Sequence, residues 1–427
     1  MNEPRTLTMD WIRDEPRGDL YAFYDELREE APIYRVSRPS GLETWLVTRY
    51  DDALAVLNDT RFGKQPDRIE QAFRDAGFPV SDEDNGSPLR RTMLTTDPPD
   101  HTRLRGLVNR AFTPRRINAL RPRIEEITNG LLDAMAPTGE TDLITAFAFP
   151  LPITVITELL GIPASDRDQF RVWVDEMLDT PPEERLKADR PLNGYLRDLV
   201  ARRREQIDWS LPGDAQPDLV SSLIVARDRE DRLDEEELIS MIALLLVAGY
   251  ITTVNLIGNG MLALFRRPDQ MRLLQERPEL ITSAVEEFLR FDGPVTQILG
   301  RVPTEDVVLD GVRIPEGSIV TVVLASADHD PRRFDNPDTL DITRSRNDHL
   351  AFGHGIHFCL GAPLARLEGQ IAIGSLVKRF PDISLAVPVE ELRYRRPAGF
   401  LRALDRLPVR FTPTATERMV PDVALAR

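Results

Sequence analysis

The spacing of apolar residues divides the chain into two β-bearing ends around a helical middle. From about residue 100 to residue 300, apolar positions recur at three- and four-residue intervals, whereas alternating β-branched runs gather near the ends. Leu20 to Glu30 and Tyr50 to Asn58 read as short helices flanking a strand pair around Ile33 to Val36 and Thr44 to Val47. Residues 64–95, rich in Asp, Pro, Gly and Arg, read as a long irregular loop of the kind that serves as a lid. Pro98-Pro99-Asp100 punctuates the chain, and a helix is expected from His101 to Phe112 with Asp100 as its N-cap.

Farther on, Ser165 to Asp208 reads as two helices joined at Pro181-Pro182, a candidate moving cover. Leu238 to Phe265 carries no formal charge and is long enough to cross a bilayer. Its polar and small members (Ser240, Thr252, Thr253, Asn255, Gly258, Asn259, Gly260) favour a helix of about 236–266 buried in protein instead. Helices are expected over Pro268 to Gln275 and Pro278 to Phe291, then extended chain over Ile298 to Val302, Val307 to Leu309 and Ser318 to Val323. Pro363 to Arg379 reads as a one-sided helix, and Thr412 to Arg427 as a fraying tail. No linker or repeat divides the chain. The expectation is one domain over 1–427, mainly α with small β-sheets. It comprises a β-containing part (1–100), a helical part (101–291), a part with strands, a cysteine loop and its helix (292–411), and the tail (412–427).

Composition narrows the function. A hydrophobic share of 41% and a charged share of 29% are those of a soluble globular protein. The net charge of −16 argues against nucleic acid as a partner. A single cysteine excludes an intrachain disulfide and fits a reducing compartment. Met-Asn-Glu-Pro-Arg opens into charged sequence without the apolar core of a signal peptide, so a cytoplasmic location without membrane attachment is expected.

That cysteine, Cys359, lies in Phe352-Gly353-His354-Gly355-Ile356-His357-Phe358-Cys359-Leu360-Gly361. Glycines at 353, 355 and 361 let the backbone turn tightly and approach a flat ligand. Such a loop is able to aim amide N–H groups at the sulfur, favouring thiolate. Besides a cysteine peptidase, for which the chain shows no local signature, two other readings stand beside a metal-holding thiolate. One is a merely buried cysteine. The other is a zinc site using His349, His354 and His357, which lacks the second pair of ligands that structural zinc sites bring.

The pattern Phe-Gly-x-Gly-x-His-x-Cys-x-Gly resembles the cysteine loop of the cytochromes P450. Glu287-Phe288-Leu289-Arg290, about seventy residues upstream, puts a carboxylate and a guanidinium on one helix face and is similar to the family's Glu-x-x-Arg pair. Arg344 matches the later arginine that this pair locks to. Ala248-Gly249-Tyr250-Ile251-Thr252-Thr253 resembles the oxygen-binding segment, and Asp97 to Arg105 the segment ahead of it. Thr253 to Met261 further resembles the actinobacterial group that decorates polyketides and macrolides.

The resemblance implies a P450 fold holding haem b, with Cys359 as axial iron ligand beside Phe352 and Gly361. His101, Arg105, Arg301 and His357 are implied as propionate donors, and Glu287, Arg290 and Arg344 as a structural ion network. Thr252 is implied to pass protons to bound oxygen. Ala248 and Gly249, small residues, would let a ligand approach the backbone at a local bulge. Ile251 departs from the family, which has an acid there. The activity implied is O2-dependent hydroxylation or epoxidation of a sizeable apolar natural product. Ile251 leaves open oxidative coupling or desaturation, or a non-catalytic binding module. Met93, Leu94, Val247, Val295, Ile298, Leu299, Phe400 and Leu401 are the expected substrate contacts. Electrons from NAD(P)H would arrive through a ferredoxin reductase and a ferredoxin, docking on a basic patch of Arg103, Arg110, Arg115, Arg116 and Arg366. A monomer is expected, with a small-molecule substrate either free or bound to a carrier protein.

Overall fold

The uncharged run at mid-chain forms a 32-residue helix, Glu235–Arg266, around which the other helices are laid. In the computed structural model the residues described are 5–8, 20–37, 43–75, 89, 91–179, 185–230, 232–395 and 400–414. A capping box starts the central helix: the Glu237 amide donates to the Asp234 carboxylate at 2.7 Å, and the Asp234 amide donates back to the Glu237 side chain at 3.0 Å. Among the described residues it alone is long and apolar enough to cross a membrane, yet 78% of its most apolar window is buried. Protein takes the place of lipid. Pro150–Leu160, Ile281–Asp292 and Ala362–Arg379 pack against it, each bringing an apolar face to one large core.

Six strands form the main sheet, in the order Arg5–Thr8, Ile33–Ser37, Glu43–Val47, Ile319–Val322, Ile298–Pro303, Phe62–Gly63. Chain ends that are far apart in sequence thus share one sheet. The register shifts between Ile298 and Arg301, an irregularity in the strand that carries Arg301. Smaller sheets join Glu140–Asp142 to Ser384–Leu385 and Pro408–Arg410, and Tyr394–Arg395 to Ala403–Leu404.

Several expectations need correction. The segment 64–95 is not uniformly irregular, because Pro66–Asp75 is helical; residues 76–88 and 90 lie outside the described residues. The helix expected from His101 runs Asp100–Asn109 with Pro99 at the cap position and no side-chain cap bond. Asp100 is drawn into the first turn by Arg103, 3.0 Å away. Val312–Ile314, too short to show an alternation, pairs with Val307–Leu309 as a hairpin. The bend at Pro181-Pro182 lies outside the described residues, between Arg167–Asp179 and Arg185–Arg204. Thr412 to Thr414 do not fray: Thr412 donates to Asp382 at 2.8 Å and Thr414 to the Ala136 carbonyl at 2.9 Å. The remaining tail, 415–427, is outside the described residues.

Candidate active site

Cys359 stands three residues before the helix Ala362–Arg379. Gly353 and Gly355 have φ of +67° and +71°, and a side chain at Gly355 would meet the Leu57 carbonyl at 2.7 Å. Gly361 differs from expectation, with an ordinary φ of −80° at the cap of that helix. The Cys359 amide donates to the Phe352 carbonyl at 2.9 Å, while the amides of Gly361 and Ala362 donate to its sulfur. Burial pushes the thiol up, and these amides with Arg105 and Arg366 only partly draw it back. The loop therefore positions a sulfur whose proton a bound cation would displace.

Three carboxylates brace the loop. Glu287 is fully buried and accepts from Arg290 at 2.8 and 2.9 Å, from Arg344 at 3.0 Å and from Asn347 at 3.0 Å. Arg290 also donates to the carbonyls of Asp328 and Pro337, tying the helix to the chain that leads into the loop. Asp328, held near about 6 by burial against the pull of His349 and the Leu350 amide, accepts that amide at 2.7 Å. Sequence reading missed Glu286. Its carboxylate takes both Arg366 donors at 2.7 and 2.8 Å and His349 at 3.2 Å. The motif specifies Glu287 and carries no signal for the residue beside it, whose partners come from distant segments.

His349 is thus committed to Glu286, and His354 to Asn58 at 2.8 Å. No group of three His, Cys, Asp or Glu suits a metal ion among the described residues. The zinc reading has no support.

His101, Arg105, Arg301 and His357 converge instead. The rings of His101 and His357 are 4.5 Å apart, and Arg105 donates to the carbonyls of Ile356 at 3.1 Å and Phe358 at 2.6 Å. Arg301 reaches the Phe62 carbonyl at 3.1 Å. Yet Nε2 of both histidines and Nε of Arg301 are buried without a partner. Burial, with Lys64, Arg301, His101 and Arg105 around it, holds His357 down at about 2. Burial likewise lowers Arg301 to about 10. Orphaned buried donors in a cationic pocket are costly alone and suit a buried polyanion. The carboxylates of haem fit that demand.

On the central helix the Thr252 hydroxyl donates to the Ala248 carbonyl at 3.1 Å, one turn back. The expected bulge is not there: Glu235–Arg266 is an unbroken α-helix. Nor does Gly249 face a ligand. A side chain on it would meet Ile156 at 2.7 Å, so Gly249 admits the helix Pro150–Leu160 instead. Ala248 is the exposed small residue of the pair. Ile251 is half-buried, and its carbonyl accepts from the Asn255 amide at 2.9 Å.

A cytochrome P450 family model matches residues 165–386. The chain is 48% identical to cytochrome P450 107B1 of Saccharopolyspora erythraea, covering 92% of this chain and 95% of that one. It is 43% identical to the polyketide biosynthesis cytochrome P450 PksS of Bacillus subtilis, covering 91% and 95%. Against the mycinamicin IV hydroxylase/epoxidase of Micromonospora griseorubida identity is also 43%, covering 90% and 94%. Among solved structures, CxnD, a P450 for C–S bond formation in chuangxinmycin biosynthesis, superposes with a TM-score of 0.87 at 38% identity, covering 97% of this chain and all of that one. The chain belongs to the cytochrome P450 family.

In a P450, thiolate-ligated haem supplies the O–O cleaving chemistry. What this chain supplies is a sulfur held by two amides, a donor pocket for carboxylates, and a threonine hydroxyl able to donate and accept a proton. Of the expected substrate contacts, Met93, Val247 and Leu401 are buried; Val295, Ile298 and Phe400 are half-buried; Leu94 and Leu299 are exposed. The structure pairs Val295 with Leu401 and brings Ile298 to Gly353.

The basic patch needs correction. Arg103 is paired with Asp100 and Glu237, Arg366 with Glu286, and Arg116 donates to the Asp214 carbonyl at 3.2 Å. Arg110 and Arg115 are exposed, and no ion pair holds them among the described residues.

Proposed function

We propose that this P450 binds haem b through Cys359 and inserts one oxygen atom of O2 into a sizeable, largely apolar natural product of polyketide type, by hydroxylation or epoxidation. The observation that carries the haem assignment is the cationic pocket of His101, Arg105, Arg301 and His357, with its orphaned donors, beside a sulfur that accepts two amides. Relatives named for polyketide biosynthesis and for hydroxylation and epoxidation support the substrate class and the reaction. Apolar Met93, Leu94, Val247, Val295, Ile298, Leu299, Phe400 and Leu401 agree with an apolar substrate. Thr252 hands on protons and Glu287, Arg290 and Arg344 keep the loop rigid. Electrons from NAD(P)H reach it through a reductase and a ferredoxin in the cytoplasm.

Reduction under carbon monoxide tests the core of this reading: a thiolate-type red shift of the main haem band is expected, and its absence overturns the assignment. Titration with macrolactones and other polyketides should then displace the iron-bound water in the haem spectrum. Oxidative coupling is the second reading. Ile251 favours it by removing the family's acid, and CxnD, named for C–S bond formation, shares the fold. A dimerised or cyclised product without added oxygen would decide for it.

A further inference from the structure

We propose that Asn259 is a positioning residue for substrate recognition: its side-chain amide pins the segments that carry Val295 and Phe400-Leu401 to the central helix, at a fixed offset from Thr252. This rests on the reading above of those residues as substrate contacts. Asn259 lies two turns, roughly 10 Å, beyond Thr252 on the same face of Glu235–Arg266. It is 1% exposed. Its Nδ2 donates to the carbonyls of Asp292 and Arg402, each at 3.0 Å. Asp292 ends the helix Ile281–Asp292, where a carbonyl has no partner within the helix, and Arg402 directly follows Phe400-Leu401.

The two anchor points also hold each other. Arg402 donates to the Asp292 carboxylate at 2.8 Å, and the Tyr21 hydroxyl donates to the same oxygen at 2.7 Å. Backbone bonds then join the substrate-facing segments. The Arg402 amide donates to the Pro294 carbonyl and the Thr296 amide to the Phe400 carbonyl, both at 2.9 Å, while Val295 bridges to Leu401. Val295, Phe400 and Leu401 therefore move as one unit, and Asn259 ties that unit to the helix that carries Thr252. Residue type matters here. Two bonds from one nitrogen need an amide NH2, whereas a serine hydroxyl offers one donor and a leucine none. The glycines on either side let the partners close in. A side chain at Gly258 would meet Ile144 at 2.8 Å, and one at Gly260 would meet Phe288, on the helix that Asp292 ends, at 3.0 Å. Without the amide, both carbonyls lose their donor and the unit is free to shift against Thr252.

The test uses two azole probes of different reach in spectral titrations of the holoprotein. Imidazole is too small to touch the lining segments, and econazole fills an apolar pocket. Wild type is compared with Asn259→Leu and the milder Asn259→Ser, and with Phe380→Leu as a destabilised control at the Phe380–Phe411 stack. Asn259→Leu should bind imidazole as wild type does and econazole about tenfold more weakly, the effect of about one lost hydrogen bond in holding the pocket's shape. Asn259→Ser should fall between, and it carries the same contrast if Asn259→Leu does not fold. Phe380→Leu should bind both probes normally. Wild-type econazole affinity in the Asn259 variants overturns the proposal. So does equal weakening of both azoles, or weakening shared by Phe380→Leu, since either marks a merely structural residue. Wild-type econazole affinity in Leu401→Ala, or a wild-type protein with no azole shift at all, would instead sink the functional reading beneath it.

Discussion

Arg366 and Glu286 meet through two hydrogen bonds, at 2.7 and 2.8 Å, and join the helix that follows Cys359 to the helix Ile281–Asp292. The same guanidinium lies 4.6 Å over the ring of Phe352, whose carbonyl accepts the Cys359 amide. Both sides of the cysteine loop therefore hang on one ion pair next to the Glu287 network.

Replacing Glu286 by Gln should cost the holoprotein about 1–3 kcal/mol, read as a lower urea midpoint, since charged hydrogen bonds are lost at a partly buried site. Arg366→Lys should recover little, because an ammonium cannot make the paired geometry. Burial raises the Glu286 carboxyl, but His349 and Arg366 outweigh it and hold it at about 2. Its contribution is present above the ordinary carboxylate range and fades as pH falls from there toward 2. A Glu286→Gln penalty that stayed constant from pH 6 to pH 3 would contradict this.

Gly249→Ala probes the close approach of the helix Pro150–Leu160 to the central helix. The new methyl would stand 2.7 Å from Ile156. A loss of about 1–3 kcal/mol from overpacking is expected, with part regained in the double variant with Ile156→Val. Additive losses would show that the two side chains do not meet.

Thr252→Ala removes the hydroxyl that donates to the Ala248 carbonyl. A several-fold rise in peroxide released per electron pair is expected, with the ferric spectrum unchanged. Ile251→Glu should improve coupling if the proton supply is limiting in this chain. Equal coupling in all three proteins would place proton delivery elsewhere.

The motif residues were legible because each has a chemical role that demands its residue type: a thiol at 359, a carboxylate and guanidinium one turn apart at 287 and 290. The central helix was legible from uncharged length alone. The roles of Asn259 and Glu286 were not, because their meaning lies in burial and in partners from distant segments, which no local pattern records. Gly249 shows the reverse failure. A small residue in a motif suggested room for a ligand, whereas it makes room for a neighbouring helix.

The exposed arginines sharpen the proposed docking of a ferredoxin. Arg110 and Arg115 lack ion-pair partners among the described residues, whereas Arg103 is held by Glu237 at 2.5 Å. Charge reversal at 110 and 115 should raise KM for a reduced ferredoxin several-fold and flatten its salt dependence. Arg103→Ala should leave that KM alone. The opposite pattern in reduction kinetics would move the docking face toward Arg103.

Glu368 carries the last prediction. It lies on the helix that leaves Cys359, is 1% exposed, and its Oε2 is buried without a partner. Burial alone raises its carboxyl from 4.5 to about 8. The folded protein thus keeps this acid neutral across a range in which the unfolded chain ionises it. Its folded value lies above its unfolded one, so the stability it contributes is whole below pH 4.5 and drains away as pH rises toward 8. Glu368→Gln abolishes the titration while keeping the shape. The variant should gain on wild type steadily from pH 5 to pH 8, by a few kcal/mol at the upper end, in paired urea titrations of the holoproteins. A difference that does not change with pH would mean that Glu368 is charged in the folded state and has found a partner there.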